Sequence, residues 1–340
     1  MFLFAVGILI ANSTKNVLYF MRLIIFSEGG MKQIIIGEND AGQRLDKFLR
    51  KAVPLLPTGM MYKYIRQKDI KLNGRRCEIS HKLAVGEVLS LYISDDFFAD
   101  RELPLLAAPA DIKIVYEDEN IILVDKPSGL LVHEGNEKET DTLIGRIQHY
   151  LYDKGEYTPE SENSFAPTLC NRIDRNTGGI VIAAKNFASL QIMSEKIRLR
   201  EVTKLYLCLC CGVPKPREWL LRGYHVKDSR TNTVTISKKP VAGAKTALTQ
   251  YRVLSDNGSE SLVEIDLLTG RTHQIRAHMA SIGCPLMGDT KYGHEKVKEK
   301  GRRYQALYSY KIRFDFKTDS GLLAYLKGRE FEVETVPFKL

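Results

Sequence analysis

The sequence predicts an α+β protein: a large mixed, mostly antiparallel sheet with flanking helices, preceded by a small α/β domain. Three observations lead there. The chain has 340 residues, enough for two or three domains. Most of its length beyond residue 110 is a succession of β-type runs bounded by Gly, Pro or Asn, with helical periodicity confined to few stretches. The region before residue 95 instead holds two short helical patterns and a tight hairpin signal. A composition of 44% hydrophobic and 27% charged residues excludes wholesale disorder and fibrous structure.

Residues 1–30 stand apart. MFLFAVGILIA is apolar for about eleven residues, whereas a membrane span takes roughly 20. It lacks a basic flank and a clear cleavage site, so a secretory signal is not expected. These residues are expected to be a non-native or disordered extension, with Met21 and Met31 as alternative starts and a weak membrane anchor as the rival reading. A first domain is expected over 31–95. There Leu45, Phe48, Leu49 and Val53 follow helical spacing and Pro54 stops the run. A second helix fits Thr58 to Lys68, with Met61 and Ile65 on its buried side. IKLNGRRC then reads as strand, Asn-Gly turn, strand, and Glu87 to Ile93 as a further strand.

Residues 96–110 change to acids, Pro and Ala and form the expected linker. The second domain is expected over 111–325, with a tail over 326–340. Its strands begin with Ile112–Tyr116, Ile121–Val124 and Ile180–Ala184. Asn186 to about Arg200 is a helix carrying Leu190, Met193 and Ile197 at spacings of three and four. TKLYLCLCCG, TVTIS, TALTQYRVL and SLVEIDLL supply more strands. Thr272 to Ile282 is a helix burying Ile275, Met279 and Ile282, closed by Gly283.

Charge is distributed unevenly. The chain carries a net +9, and between Arg44 and Lys82 eleven Lys/Arg face three acids. Among the eleven are Arg44, Lys47, Arg66, Lys68, Arg75 and Arg76. So one-sided a run suits phosphate neutralisation, which gives affinity that falls steeply with salt and carries little base information. Six scattered cysteines, without a C-x-x-C pair, read as reduced cytoplasmic thiols.

Two segments carry candidate chemistry. In LCNRIDRNTGGIVIAAKN, Asp174 lies between Arg172 and Arg175. Flanking guanidinium groups would keep that carboxylate ionised for nucleophilic or electrostatic work, although such a cluster also describes a surface ion pair. In DLLTGRTHQIRAHMASIGCPLMGDTKYG, Arg271, His273 and Arg276 crowd the start of a helix. Cations there oppose the helix dipole, unless an anion such as phosphate or the Asp174 carboxylate sits among them. His273 and His278 are five apart, the wrong spacing for one metal-binding helical face, and no zinc motif is present.

NRIDRNTGGIVIAAKN and LLTGRTHQIRAHMASIGCPLMGDTKYG strongly resemble the signature motifs of the RluA-like pseudouridine synthases. KPSGLLVH and TKLYLCLCCG match further motifs in the same order, so the likeness spans roughly residues 40–320. The small basic domain resembles the S-four-type RNA-binding module that many bacterial members carry. The resemblance implies an isomerase that cuts the bond from uracil to the anomeric carbon within RNA, turns the base and rejoins it through carbon five. It implies no cofactor and no metal.

By the match, Asp174 is the catalytic carboxylate and Arg276 the arginine that pairs with it. Tyr206 matches the tyrosine packed against the uracil, a candidate for stacking and for removing the carbon-five proton. Arg172 matches a residue that contacts RNA and fills the gap left by the extruded base; Arg271 and His273 join it as expected RNA contacts. Asn171 stands where the family usually has His, and Thr177-Gly178-Gly179 where Thr-Ser-Gly is common. A helical or folded RNA hides the glycosidic bond, so the nucleotide must be flipped out. The expected substrate is large-subunit ribosomal RNA, with transfer RNA and a non-catalytic assembly factor as the rival readings. A cytoplasmic monomer with RNA as its partner, and no membrane contact, is expected.

Overall fold

In the computed structural model, residues 25–27, 31–98, 107–133, 139–228, 230–231, 233–293 and 303–340 are described. The extension predicted for residues 1–30 therefore lies mostly outside the described residues. The chain divides into two units: one of residues 1–100 with 158–164, the other of 101–157 with 165–340.

The smaller unit contains strands β1 (Ile25–Ser27) and β2 (Met31–Ile35), helices α1 (Leu45–Ala52) and α2 (Thr58–Gln67), and strands β3 (Ile70–Leu72), β4 (Arg75–Arg76) and β5 (Val88–Leu91). The sheet runs in the order β1-β2-β5-β3-β4. Strand β1 falls within the segment expected to be a disordered extension, yet its backbone pairs antiparallel with β2. Between β3 and β4, Asn73 (φ 49°) and Gly74 (φ 72°) adopt the two left-handed conformations a tight hairpin turn demands. Leu45, Phe48 and Leu49 of α1 and Met61 and Ile65 of α2 close over Ile70, Leu89 and Leu91, all buried. The segment 158–164 joins this unit through buried polar contacts. Ser164 Oγ donates to Asp40 at 2.7 Å and accepts from Gln43 at 2.8 Å.

The larger unit begins with β6 (Ile114–Glu117), β7 (Ile121–Lys126), α3 (Leu143–Asp153), β8 (Thr168–Leu169), β9 (Gly178–Ala184) and α4 (Phe187–Arg198). It continues with β10 (Val202–Cys211), β11 (Glu218–Asp228), β12 (Thr233–Ser237), β13 (Lys245–Asp256) and β14 (Glu260–Asp266). Helix α5 (Gln274–Ser281), β15 (Leu307–Phe314) and β16 (Glu330–Glu332) complete it. The main path is β12-β11-β13-β14-β10-β15-β9-β7-β6, with β16 on β15 and β8 on β9. Among the described residues every pair is antiparallel except β9 with β15, so the sheet is mixed and mostly antiparallel as predicted.

Both faces of the sheet are covered near its middle. On one side α3 and α5 bring Leu143, Ile147, Leu151, Ile275 and Met279 against Val124, Val181, Cys208 and Val263. On the other, Met193 of α4 with Leu323 and Leu326 packs on Leu123, Ile182, Ile312 and Phe314. That explains why β9 is an unbroken buried run, GGIVIAA, rather than an alternating one.

The structure corrects several element assignments. Helix α3 lies where no element is predicted, although Leu143, Ile147 and Leu151 recur at helical spacing and the Thr142 hydroxyl caps the Gly145 N–H at 3.2 Å. Strands β11 and β15 also go beyond the prediction. The last helix starts at Gln274 rather than Thr272, because His273 takes a left-handed backbone conformation (φ 51°). Ile282 lies outside that helix and is 36% exposed rather than buried. The segment 326–340 is more than a tail: β16 pairs with β15, and Leu326 and Val333 are buried.

Candidate active site

A cavity of about 790 Å³ opens on the larger unit, lined by the loop before β9, the first half of β10 and the segment leading into α5. That is ample room for one nucleotide. Asp174, Arg172, Tyr206, Arg271, His273 and Arg276 all line it, although they come from three distant stretches of sequence.

The loop bearing Asp174 is fixed at both ends. Before it, Asn171 Oδ1 accepts the Ile182 N–H at 2.8 Å. After it, the chain passes through Gly178 and Gly179 into the parallel contact with β15. Gly179 has φ 106°, and a Cβ there would sit 2.2 Å from the Ser309 carbonyl oxygen. A Cβ on Gly178 would meet the Tyr308 ring at 2.3 Å. Tyr308 thus fills the space that a serine at position 178 would need. Below the loop, buried Lys126 donates to the carbonyls of Pro127 (2.9 Å), Leu130 (2.7 Å) and Arg175 (2.9 Å). It ties the KPSGLLVH loop to the Asp174 loop, and burial pulls its pKa down to about 7.

The partners of Asp174 differ from those expected from its neighbours in sequence. Arg175 turns away, donating to the Gly129 carbonyl at 3.0 Å and to Glu139 at 2.8 Å. Arg172 lines the cavity without an ion pair to Asp174. Instead Arg276 Nη1 reaches Asp174 Oδ2 at 3.3 Å, and His273 Nε2 lies 3.9 Å from the same oxygen. Asp174 keeps 26% of its side chain exposed, so a substrate can reach it.

Arg276 is itself held from behind. Its Nε and Nη2 donate to the two oxygens of Asp289 at 2.7 and 2.8 Å, a fork-to-carboxylate pair in which Asp289 is fully buried. Asp289 also accepts the backbone N–H groups of Lys291 (2.9 Å) and Tyr292 (3.1 Å). Burial works against both charges, but the hydrogen bonds and opposite charges win: the Arg276 pKa is raised and that of Asp289 lowered. The crowding of cations at the start of α5 is therefore relieved by two carboxylates. It is also less severe than expected, because burial above all lowers the His273 pKa and so disfavours its charged form. His273 Nδ1 shares a hydrogen bond with the Tyr292 hydroxyl at 2.9 Å, and the Arg276 guanidinium lies 5.1 Å from the Tyr292 ring centre. Gln274 pins the helix start to β13 through the Leu248 carbonyl (3.0 Å) and the Thr249 hydroxyl (2.9 Å).

Tyr206 is 4% exposed on β10. Burial pushes its phenol up to about 12, and the charge of Asp174 adds to the shift, so it rests as a neutral phenol. Arg271 is exposed at the rim, with Nε 3.4 Å from the Thr246 carbonyl. The other expected RNA contacts belong to the smaller unit. Among the described residues Lys47, Arg66, Lys68, Arg75 and Arg76 are exposed there without an ion pair, while Arg44 is held by Asp46 at 3.0 Å. Sequence reasoning missed Asp289, Tyr292 and Lys126 as parts of the site. The first two stand in GDTKYG, a segment of the matched motif given no role.

The cavity brings together a reachable carboxylate, a buried aromatic ring and a cationic rim, an arrangement suited to an anionic substrate. The family is specified by comparison. Residues 120–281 match the model for RNA pseudouridylate synthase. An uncharacterized RNA pseudouridine synthase of Mycoplasma capricolum is 30% identical over 302 residues, covering 88% of this chain and 96% of the relative. The ribosomal large subunit pseudouridine synthase C of Rickettsia felis is 29% identical over 308 residues, covering 87% and 93%. The chain belongs to the RNA pseudouridine synthase family, and is an isomerase of that class. Its fold is shared with human RNA pseudouridylate synthase domain containing 4, at TM-score 0.52 and 23% identity over 66% of this chain and 88% of that one. Among the described residues, no helix is long and apolar enough to cross a membrane.

Proposed function

We propose that this enzyme converts uridines to pseudouridine in structured large-subunit ribosomal RNA, with Asp174 as the catalytic carboxylate. The observation that carries the reading is the exposed edge of Asp174, paired with Arg276 in the same cavity that Tyr206 lines. A flipped nucleotide stacks on the Tyr206 side of the cavity with its anomeric carbon beside Asp174. The carboxylate stabilises or captures that carbon as the bond to nitrogen breaks; the uracil turns and carbon five takes its place. The carbon-five proton leaves to solvent, the ring nitrogen freed from the sugar takes up a proton in exchange, and no net oxidation or hydrolysis occurs. Arg276, steadied by Asp289, fixes where the carboxylate points. As a neutral phenol, Tyr206 suits packing against the base better than it suits a free phenolate base.

The smaller unit serves as an S-four-type RNA anchor. Lys47 and Lys51 along α1, and Lys63 and Arg66 along α2, follow spacings of four and three, presenting cations in helical rows, with Arg44 just before α1. The ribosomal assignment rests on the names of relatives such as that of Rickettsia felis, and on this module. The enzyme acts as a monomer in the cytoplasm. Asp174→Asn tests the central claim: release of tritium from carbon-five-labelled uridine in RNA should vanish while RNA affinity stays within a few fold. Retained turnover removes Asp174 from the mechanism.

A further inference from the structure

The cavity extends beyond the catalytic residues, along β10 toward its start, where Arg172, Arg198, Arg200 and Lys204 join the lining. Lys204 is two residues from Tyr206 on the same strand, about 7 Å away. Its ammonium donates to the Val202 carbonyl at 3.0 Å, leaving two of its three N–H groups unspent. Among the described residues, no carboxylate lies within 4 Å of the cationic groups of Lys204, Arg172 or Arg200. Arg198, by contrast, is already engaged by Glu195, with Nε at 2.7 Å. The acid in this part of the wall is Asp266; burial raises its pKa and lowers that of Lys204, each shift partly opposed by the other group's charge. Arg200 occupies a left-handed backbone position (φ 62°) just past α4, where glycine or asparagine is usual.

We propose that Lys204, with Arg172 and Arg200, forms a phosphate subsite that grips the backbone of the flipped nucleotide. The idea rests on the functional reading above, because it needs a nucleotide in the cavity. A nucleotide flipped from an RNA chain stays joined to phosphates on both sides, so its entry brings anions to the cavity with the base. The partly buried ammonium beside Tyr206 offers unspent donors to such an anion at a fixed distance from the stacked ring. A surface lysine could not, because its charge would be screened and its chain free to wander.

The test uses the full-length protein and three probes: uridine, uridine 3′-monophosphate and uridine 5′-monophosphate. In about 0.1 M salt, one monophosphate should bind at least about tenfold more tightly than uridine. Lys204→Gln should shrink that preference to about twofold or less, Lys204→Arg should keep most of it, and inorganic phosphate should compete with the nucleotide. Arg200→Gln, at an exposed position, should lower the preference by a smaller factor. The proposal is overturned if the wild type binds all three probes alike, or if Lys204→Gln keeps the wild-type preference. Recognition of the uracil alone is the first of those outcomes. Asp174→Asn separates the two readings: it should keep the phosphate preference while losing isomerisation. A wild type that prefers the monophosphate yet releases no tritium from labelled RNA would sink the functional reading and leave the subsite standing.

Discussion

Replacing Asp289 by Asn removes one charge and one acceptor from behind Arg276 and changes little else in shape. The backbone N–H groups of Lys291 and Tyr292, and Arg276 Nη2, all address Oδ1, which the amide retains. What is lost is the 2.7 Å bond from Arg276 Nε to Oδ2, because an amide NH2 there would oppose another donor. Breaking a buried ion pair from one side costs about 3–5 kcal/mol, and the retained bonds put this case near the lower end, about 3 kcal/mol. In urea that is a midpoint lowered by about 1 M. The guanidinium, left with Asp174 as its carboxylate partner, should swing toward it and shift the oxygen proposed to act on the sugar. Displacements of about 1 Å can cost about a hundredfold in rate, so kcat for tritium release should fall by ten- to a hundredfold.

The same variant has a pH signature. The folded pKa of Asp289 lies below its unfolded value of about 3.9. Its contribution is therefore fully present above that value and is lost as the pH falls through the folded one. Asp289→Asn should flatten that part of the acid limb of the stability curve. A variant that unfolds at the wild-type midpoint and turns over within twofold of wild type would refute the claim that Asp289 positions Arg276.

Three further outcomes can be checked. Gly179→Ala puts a Cβ 2.2 Å from the Ser309 carbonyl oxygen at φ 106° and should cost at least about 3 kcal/mol, read as a lowered thermal midpoint by circular dichroism. Because the Tyr206 phenol is pushed up to about 12, single-turnover tritium release should not rise from about pH 7 to 9. A rise of about tenfold per pH unit would instead make the phenolate the active base. In the smaller unit, Lys63→Gln with Arg66→Gln should weaken RNA binding and reduce the slope of log affinity against log salt by roughly one to two. An unchanged slope would remove α2 from the RNA contact.

Much of the molecule was legible in the chain itself. The hydrophobic periods of α1, α2, α4 and most of the strands, the Asn73-Gly74 turn and the one-sided charge from Arg44 to Lys82 are local properties, expressed by residues within a few positions of one another. The choice of Asp174, Tyr206 and Arg276 came from motif likeness, which encodes proximity without giving its geometry. Tertiary structure alone decided the electrostatics. Arg172 and Arg175 are the nearest cations to Asp174 in sequence, yet adjacent side chains on an irregular loop point where the backbone sends them, and Arg175 leaves for Glu139. The cation that reaches Asp174 comes from 102 residues away, and a buried acid 13 residues further on holds it. Burial, which no local pattern specifies, lowers the His273 pKa and keeps Tyr206 a neutral phenol. It also makes Gly178 necessary, since the Tyr308 ring takes the room its side chain would need. Charge and ring packing act through space, over distances that only the folded chain sets.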